Sequence, residues 1–290
     1  MITLRNEKLQ VRIHPKGAEL QSLFGTGTQT EYLWKGDPAY WGKHSPVLFP
    51  VIGALRNDRY RYNGREYTLP RHGFARDLLF TPEETAGHMA NFVLHSSAET
   101  RQVYPFDFIL RIRYHLAGMK LQVTYEVCNP DADAPLYFSV GGHPAFALPL
   151  EEGLRYEDYH LEFEHPETAG RWRLRKDGLI TGEVHPLLED AARLPLQKSL
   201  FYEDAIVLKG LRSRRVSLLS AKEKRGVQLD FGGFPYLGIW AARDAPFICL
   251  EPWCGLADTA GHNGELTEKE GIIRLSPRAK WEKSWSVTCF

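Results

Sequence analysis

Apolar and polar positions alternate with a period of two along much of this chain. Phe108, Leu110, Ile112, Tyr114 and Leu116 are interleaved with Arg111, Arg113 and His115. After Ala117-Gly118 the alternation resumes with Leu121, Val123, Tyr125 and Val127 against Gln122, Thr124 and Glu126. Successive strand side chains point to opposite faces, so this stretch predicts two half-buried strands joined by a tight turn. Asn63-Gly64, between Tyr60-Arg61-Tyr62 and Tyr67-Thr68-Leu69, favours the positive φ angles of a type I′ hairpin turn. Leu9, Val11 and Ile13 predict a strand near the start. Val216 and Leu218 face Val227, Leu229 and Phe231 across the charged turn Lys222 to Gly226, and Trp281, Trp285 and Val287 mark a last strand.

Helical signals are few. His185 to Arg193 reads as a short helix and Thr267 to Gly271 as a single turn. No Gly/Ser- or Pro-rich linker divides the chain, and no solenoid-length repeat or low-complexity segment is visible. Many strands with few helices predict an all-β sandwich or barrel, organised as a single domain over residues 1–290.

Composition narrows the classes of function. The 290 residues are 43% hydrophobic and 25% charged, ordinary globular values that predict a packed core. Lys+Arg and Asp+Glu both number 36, so no basic excess draws the chain to a polyphosphate, and no nucleic acid partner is expected. Charge appears by Arg5, ahead of any secretory apolar region, and no apolar run is long enough for a bilayer. No membrane partner is expected either. Cys128, Cys249, Cys254 and Cys289 are too few for a disulfide scaffold of this length and read as reduced thiols of a cytoplasmic protein. Cys249 and Cys254 resemble half a zinc site, but no second cysteine pair matches them.

Four polar segments interrupt the alternation: residues 45–57, 71–76, 138–146 and 247–255. In the third, Gly141-Gly142 precedes His143 and Pro144 follows it. The glycines allow a sharp turn or a close approach, and the proline stiffens His143 in an extended conformation. Such an imidazole suits acid–base work near neutral pH, and equally suits a histidine hydrogen-bonded at a turn. In the fourth, Glu251 ends the apolar run Phe247-Ile248-Cys249-Leu250. A carboxylate there is either a perturbed functional group or half of a structural ion pair. His72, Arg56 and Arg76 supply donors for hydroxyls, a carboxylate or a phosphate, or form a solvated face. Trp253, Phe49 and Phe74 are candidates to stack on a sugar or to fill the core. Asp204 precedes an apolar strand and fits a turn or cap.

Taken in order, VLFPVIGALRN (47–57), RHGFAR (71–76), FSVGGHPAF (138–146), FYEDAIVL (201–208) and FPYLGIWAARDAPFICLEPWCGLAD (234–258) resemble the aldose 1-epimerase family, in the branch with an HGFAR motif. The resemblance covers almost the whole chain. It implies a large antiparallel β-supersandwich of the galactose mutarotase type, with His143 as catalytic acid and Glu251 as catalytic base. It places Arg56 and His72 on the sugar, Asp204 at a sugar-binding position, and Arg76 in the branch motif as a further binding residue. The implied partner is a small-molecule sugar, the implied reaction needs no metal, nucleotide or redox cofactor, and the implied assembly is a monomer or homodimer. Three rivals remain. A sugar-binding module would not need the acid–base pair. A glycoside hydrolase would need two flanking carboxylates. A metal site of His72, His143 and Glu251 lacks paired spacing.

Overall fold

A computed structural model describes residues 1–220 and 225–290. Among the described residues the chain forms antiparallel sheets with one α-helix, Ala98–Val103, and a few 3-10 turns. The principal sheet has 15 strands. From one edge it runs through Val47–Leu48, Val140–Gly142, Phe247–Cys254, Tyr236–Trp240, Ile206–Lys209 and Tyr159–Leu174. It continues through Arg215–Ser220, Val227–Asp230, Lys280–Cys289, Lys120–Cys128, Ile109–Ala117, Met89–His95 and Thr81–Ala86. A second sheet holds Ile2–Arg5, Leu9–His14, Glu19–Gly25 and Thr30–Glu31. One apolar cluster contains Leu9, Val11 and Ile13 of the small sheet and Phe92, Ile112 and Val123 of the large one. The Tyr114 hydroxyl donates to Ala18 O across the two, 2.7 Å away.

The period-two signals correspond to real pairings. Ile109–Ala117 and Lys120–Cys128 form the expected hairpin, with Leu110 opposite Val127 and Leu116 opposite Leu121. Asn63 (φ 50°) and Gly64 (φ 74°) both take positive φ between strands Arg59–Tyr62 and Arg65–Thr68, as a type I′ turn requires. Val216 pairs with Leu229 and Leu218 with Val227; of the charged turn between them, Lys222 lies outside the described residues. The turn near residue 267 is a 3-10 turn, Leu266–Glu268.

The expected helix His185–Arg193 is instead part of strand Ile180–Pro195, the return arm of a long hairpin with Tyr159–Leu174. Arg171 faces His185 and Ala169 faces Leu188, so non-local pairing overrides a weak local helix signal. The hairpin is irregular. Its register shifts repeatedly, and Asp190 adopts φ 49°, a conformation incompatible with a continuous helix.

Candidate active site

The floor of a cavity of about 380 Å³ is laid on neighbouring strands of the large sheet. Along Phe247–Cys254, Cys249, Glu251 and Trp253 share one face by the strand's alternation. Glu251 lies opposite Gly238, which lies opposite Val207 on the next strand. A Cβ on Gly238 would come within 2.5 Å of the Trp253 indole, so glycine is what lets Trp253 lie across the sheet. On the other side, Val140–Gly142 and Ala145–Ala147 both pair with Phe247–Cys254, and His143 sits in the two-residue step between them. Gly141 and Gly142 serve close packing rather than a sharp turn: neither has positive φ, and an added Cβ would meet Pro252 O and Trp253 or the Tyr125 hydroxyl at 2.8 Å.

This convergence places His143 Nε2 3.2 Å from Glu251 Oε2, with both side chains buried. Trp41 stacks on the imidazole at 4.9 Å, and Trp240 meets it edge-on at 5.6 Å. Burial pushes the His143 pKa down to about 3, with the Arg76 charge adding to the fall and its own backbone carbonyl opposing it. Burial pushes the Glu251 carboxyl well up, with a smaller rise from Asp204 and an opposing pull from Trp253. Both shifts favour the uncharged forms, a protonated Glu251 and a neutral His143, and Glu251 Oε2 has no hydrogen-bond partner among the described residues.

His72 forms one wall. Its φ is +69°, followed by Gly73 at +69°, and a Cβ on Gly73 would strike Phe49 O at 2.3 Å. Two left-handed residues in succession explain the His-Gly pair. Gly53 holds His72 twice: the His72 N–H donates to Gly53 O (3.0 Å), and the Gly53 N–H donates to His72 Nδ1 (3.2 Å). Nδ1 is therefore the acceptor, and the proton of the neutral ring is on Nε2. Burial and the nearby His143, Arg76 and Arg71 hold the His72 pKa well below its usual value. Arg76 is largely buried, and its Nη2 donates to Arg71 O at 2.7 Å. Neither Arg76 Nε nor His143 Nδ1 has a hydrogen-bond partner among the described residues, although both are buried. Such orphans on a cavity wall mark a place where a polar ligand supplies what the protein does not.

Asp204, at φ 90°, lies on the rim. One carboxylate oxygen accepts from the Ala205 N–H at 2.7 Å, and the other is 3.8 Å from Arg71. The roof comes from the tip of the long hairpin, through Leu174, Gly178 and Ile180. Ile180 docks on the opposite loop by accepting from the Ala260 N–H (2.8 Å) and donating to Asp258 O (2.9 Å). Asp258 is itself buried in an ion pair with Lys269 at 2.7 Å and accepts from the Arg56 backbone N–H.

Five of the six expected site residues, His143, Glu251, His72, Arg76 and Asp204, thus line one cavity. Arg56 does not. Its guanidinium donates to His262 O at 3.1 Å and lines a separate depression with Arg59 and Arg61. Of the aromatic candidates, Trp253 lines the cavity, whereas Phe49 and Phe74 pack against each other and Phe108 in the core. Trp41 and the hairpin tip carry no signal of a site in the sequence, and Trp240 falls within the 234–258 motif without one of its own, because contacts distant in sequence bring them to the cavity. All four cysteines are free thiols. Among the described residues, no helix is long and apolar enough to cross a membrane.

Comparison with known proteins identifies the fold and the family. Two curated proteins of Lactococcus lactis subsp. lactis, the plasmid and chromosomal forms of protein LacX, are each 37% identical over 295 residues, covering 99% of this chain and 98% of their own. A galactose mutarotase related enzyme from Lactobacillus acidophilus superposes with a TM-score of 0.95 at 35% identity, covering 100% of this chain and 97% of its own. A galactose mutarotase-like protein from Lactobacillus casei gives 0.94 at 34%, with complete coverage of both chains. The fold is therefore of the galactose mutarotase type. The sequence model described as Aldose 1-epimerase matches residues 1–274, and the chain belongs to the aldose 1-epimerase family.

Proposed function

We propose that this chain, as one domain, is a mutarotase that interconverts the α and β anomers of an aldose. The observation that carries the reading is the buried His143–Glu251 pair, 3.2 Å apart on the floor of a sugar-sized cavity. Burial favours the uncharged pair, with its one proton on Glu251 and none on His143. Transfer across the contact gives imidazolium and carboxylate, the form in which the reaction begins. Glu251 takes the proton of the anomeric hydroxyl while His143 gives its proton to the ring oxygen, and the C1–O5 bond breaks. The open-chain aldehyde rotates about C1–C2. His143 then takes the proton of the attacking hydroxyl, Glu251 returns a proton to O1, and the ring closes on the other face. Each group acts once as acid and once as base, so the enzyme ends in its starting state. His72 Nε2–H and Arg76 donate to sugar oxygens, Asp204 accepts at the rim, and the Trp41, Trp240 and Trp253 rings cover apolar ring faces.

The test is the decay of optical rotation of freshly dissolved α-D-glucose and α-D-galactose. The wild type accelerates it, and Glu251→Gln and His143→Asn each lose roughly 10²- to 10⁴-fold, the usual worth of a positioned acid or base. Arg71 and Arg76 put two guanidinium groups on the cavity wall, which favours a hexose 6-phosphate as a second substrate reading, so phosphorylated sugars join the assay. No acceleration with any of them overturns the mutarotase reading in favour of sugar binding alone.

A further inference from the structure

Cys249 has no role in the chemistry above, yet it stands beside the acid–base pair. It and Glu251 are two apart on one strand and face the same side, and the pairing of Ala145 with Cys249 brings the His143 step over them. One ligating atom from each of His143, Cys249 and Glu251 lies within 4.8 Å of the other two. All three residues are buried. Cys249 is a free thiol, and His143 Nδ1 is without a hydrogen-bond partner among the described residues.

We propose that Cys249, His143 and Glu251 form a soft-cation site, at which Zn²⁺ takes one ligand from each and disables the acid–base pair. Thiolate, imidazole and carboxylate are the three side-chain ligand types of zinc, at about 2.3 Å for sulfur and about 2.0–2.2 Å for nitrogen and oxygen. In a tetrahedral arrangement such atoms stand roughly 3.5 Å apart. His143 Nε2 and Glu251 Oε2 already stand 3.2 Å apart, and a set of three donor atoms that includes the Cys249 thiol lies within 4.8 Å, so side-chain adjustment is enough to close the site. As zinc binds, the Cys249 thiol and the Glu251 carboxyl each release a proton, two in all, and no electron changes hands. Three protein ligands leave a fourth position for water or a ligand, as in catalytic zinc sites. The thiolate sets the selectivity: Mg²⁺ and Ca²⁺ demand sets of oxygen ligands that this cluster lacks. His143 and Glu251 line the sugar cavity, so the cation enters by the route of the sugar and competes with it.

The coordination stands independently of the mutarotase reading, whereas the inhibition rests on it, and the experiment separates the two. Equilibrium dialysis of the full chain with Zn²⁺, and titration with Co²⁺ as a spectroscopic probe, are run on wild type, Cys249→Ser and Cys249→Ala, each shown to be folded by thermal denaturation. The expected result is one Zn²⁺ bound per chain in the wild type with a thiolate-to-cobalt charge-transfer band. Affinity falls at least tenfold in Cys249→Ser, and the band is lost in both variants. Zn²⁺ should also slow sugar mutarotation by the wild type, competitively and reversibly with a chelator. It should leave Cys249→Ser active, and Mg²⁺ should do nothing. Absence of the cobalt band, or binding and inhibition that both variants retain, overturns the site. A chain that shows the band but never accelerates mutarotation refutes the mutarotase reading and leaves the site standing.

Discussion

Replacing Glu251 by Gln keeps the shape of the side chain and removes its ability to ionise, which makes the burial of this carboxyl measurable as stability. The native His143–Glu251 pair carries one proton. In the unfolded chain the same residues revert to ordinary values of 4.5 and 6.5, so they hold one proton between these values and none above. For the wild type, the pair's contribution is therefore flat from pH 4.5 to 6.5. It is lost above 6.5, because only the native state still binds the proton. In Glu251→Gln the native His143 is neutral down to about pH 3 while the unfolded one titrates at 6.5. Its contribution rises with pH up to 6.5 and is flat above. The sign of the difference is thus the same throughout. The variant gains on the wild type by about 1.4 kcal/mol per pH unit, until pH passes the native carboxyl's own pKa. Over two units that is about 2.7 kcal/mol. Urea unfolding of both proteins at half-unit steps from pH 5 to 8 reads it directly, and contributions of all other groups cancel in the difference. Curves that stay parallel over the whole range would mean that Glu251 ionises normally in the folded protein, and the account of the site's electrostatics would fall.

Other substitutions test the walls. Gly238→Ala sets a methyl group against the Trp253 indole, and overpacking of this kind is expected to cost about 1–3 kcal/mol in denaturant unfolding while raising KM through the displaced ring. Lys269→Met leaves Asp258 as a buried carboxylate without its cation, and a loss of about 3–5 kcal/mol is expected, read as a lower urea midpoint at unchanged slope. Asp204→Asn, on the rim and away from the reacting atoms, is expected to raise KM several-fold with kcat nearly unchanged; an equal fall in kcat would assign it to the transition state instead.

The parts of this molecule that were legible in the sequence are those fixed by neighbours in the chain. The hairpin at Ala117-Gly118 and the turn at Asn63-Gly64 follow from alternation and from two left-handed positions. The His-Gly pair at 72–73 was visible as a motif, but its cause, the Gly73 backbone pressed against Phe49 O, is a contact 24 residues away. The segment 185–193 misled because its apolar spacing resembles one helical face, while its conformation is set by pairing with residues 162–171. Arg56 misled differently. Its backbone N–H reaches Asp258 beside the cavity wall, yet its side chain turns away to His262. A motif specifies where a backbone runs more firmly than where a long, flexible side chain ends.

The cavity has two origins in the chain. Its floor rests on contiguous interior strands, paired on both sides, where a change of backbone would disturb many hydrogen bonds at once. Its roof is the end of a hairpin held by a short bridge at Ile180, with register irregularities along its arms. Lengthening, shortening or exchanging that tip reshapes the cavity's mouth without touching the His143–Glu251 pair beneath. Divergence in this architecture thus has separate dials, one for the buried pair and one for the shape of what the cavity admits, and the second turns at little cost to the first.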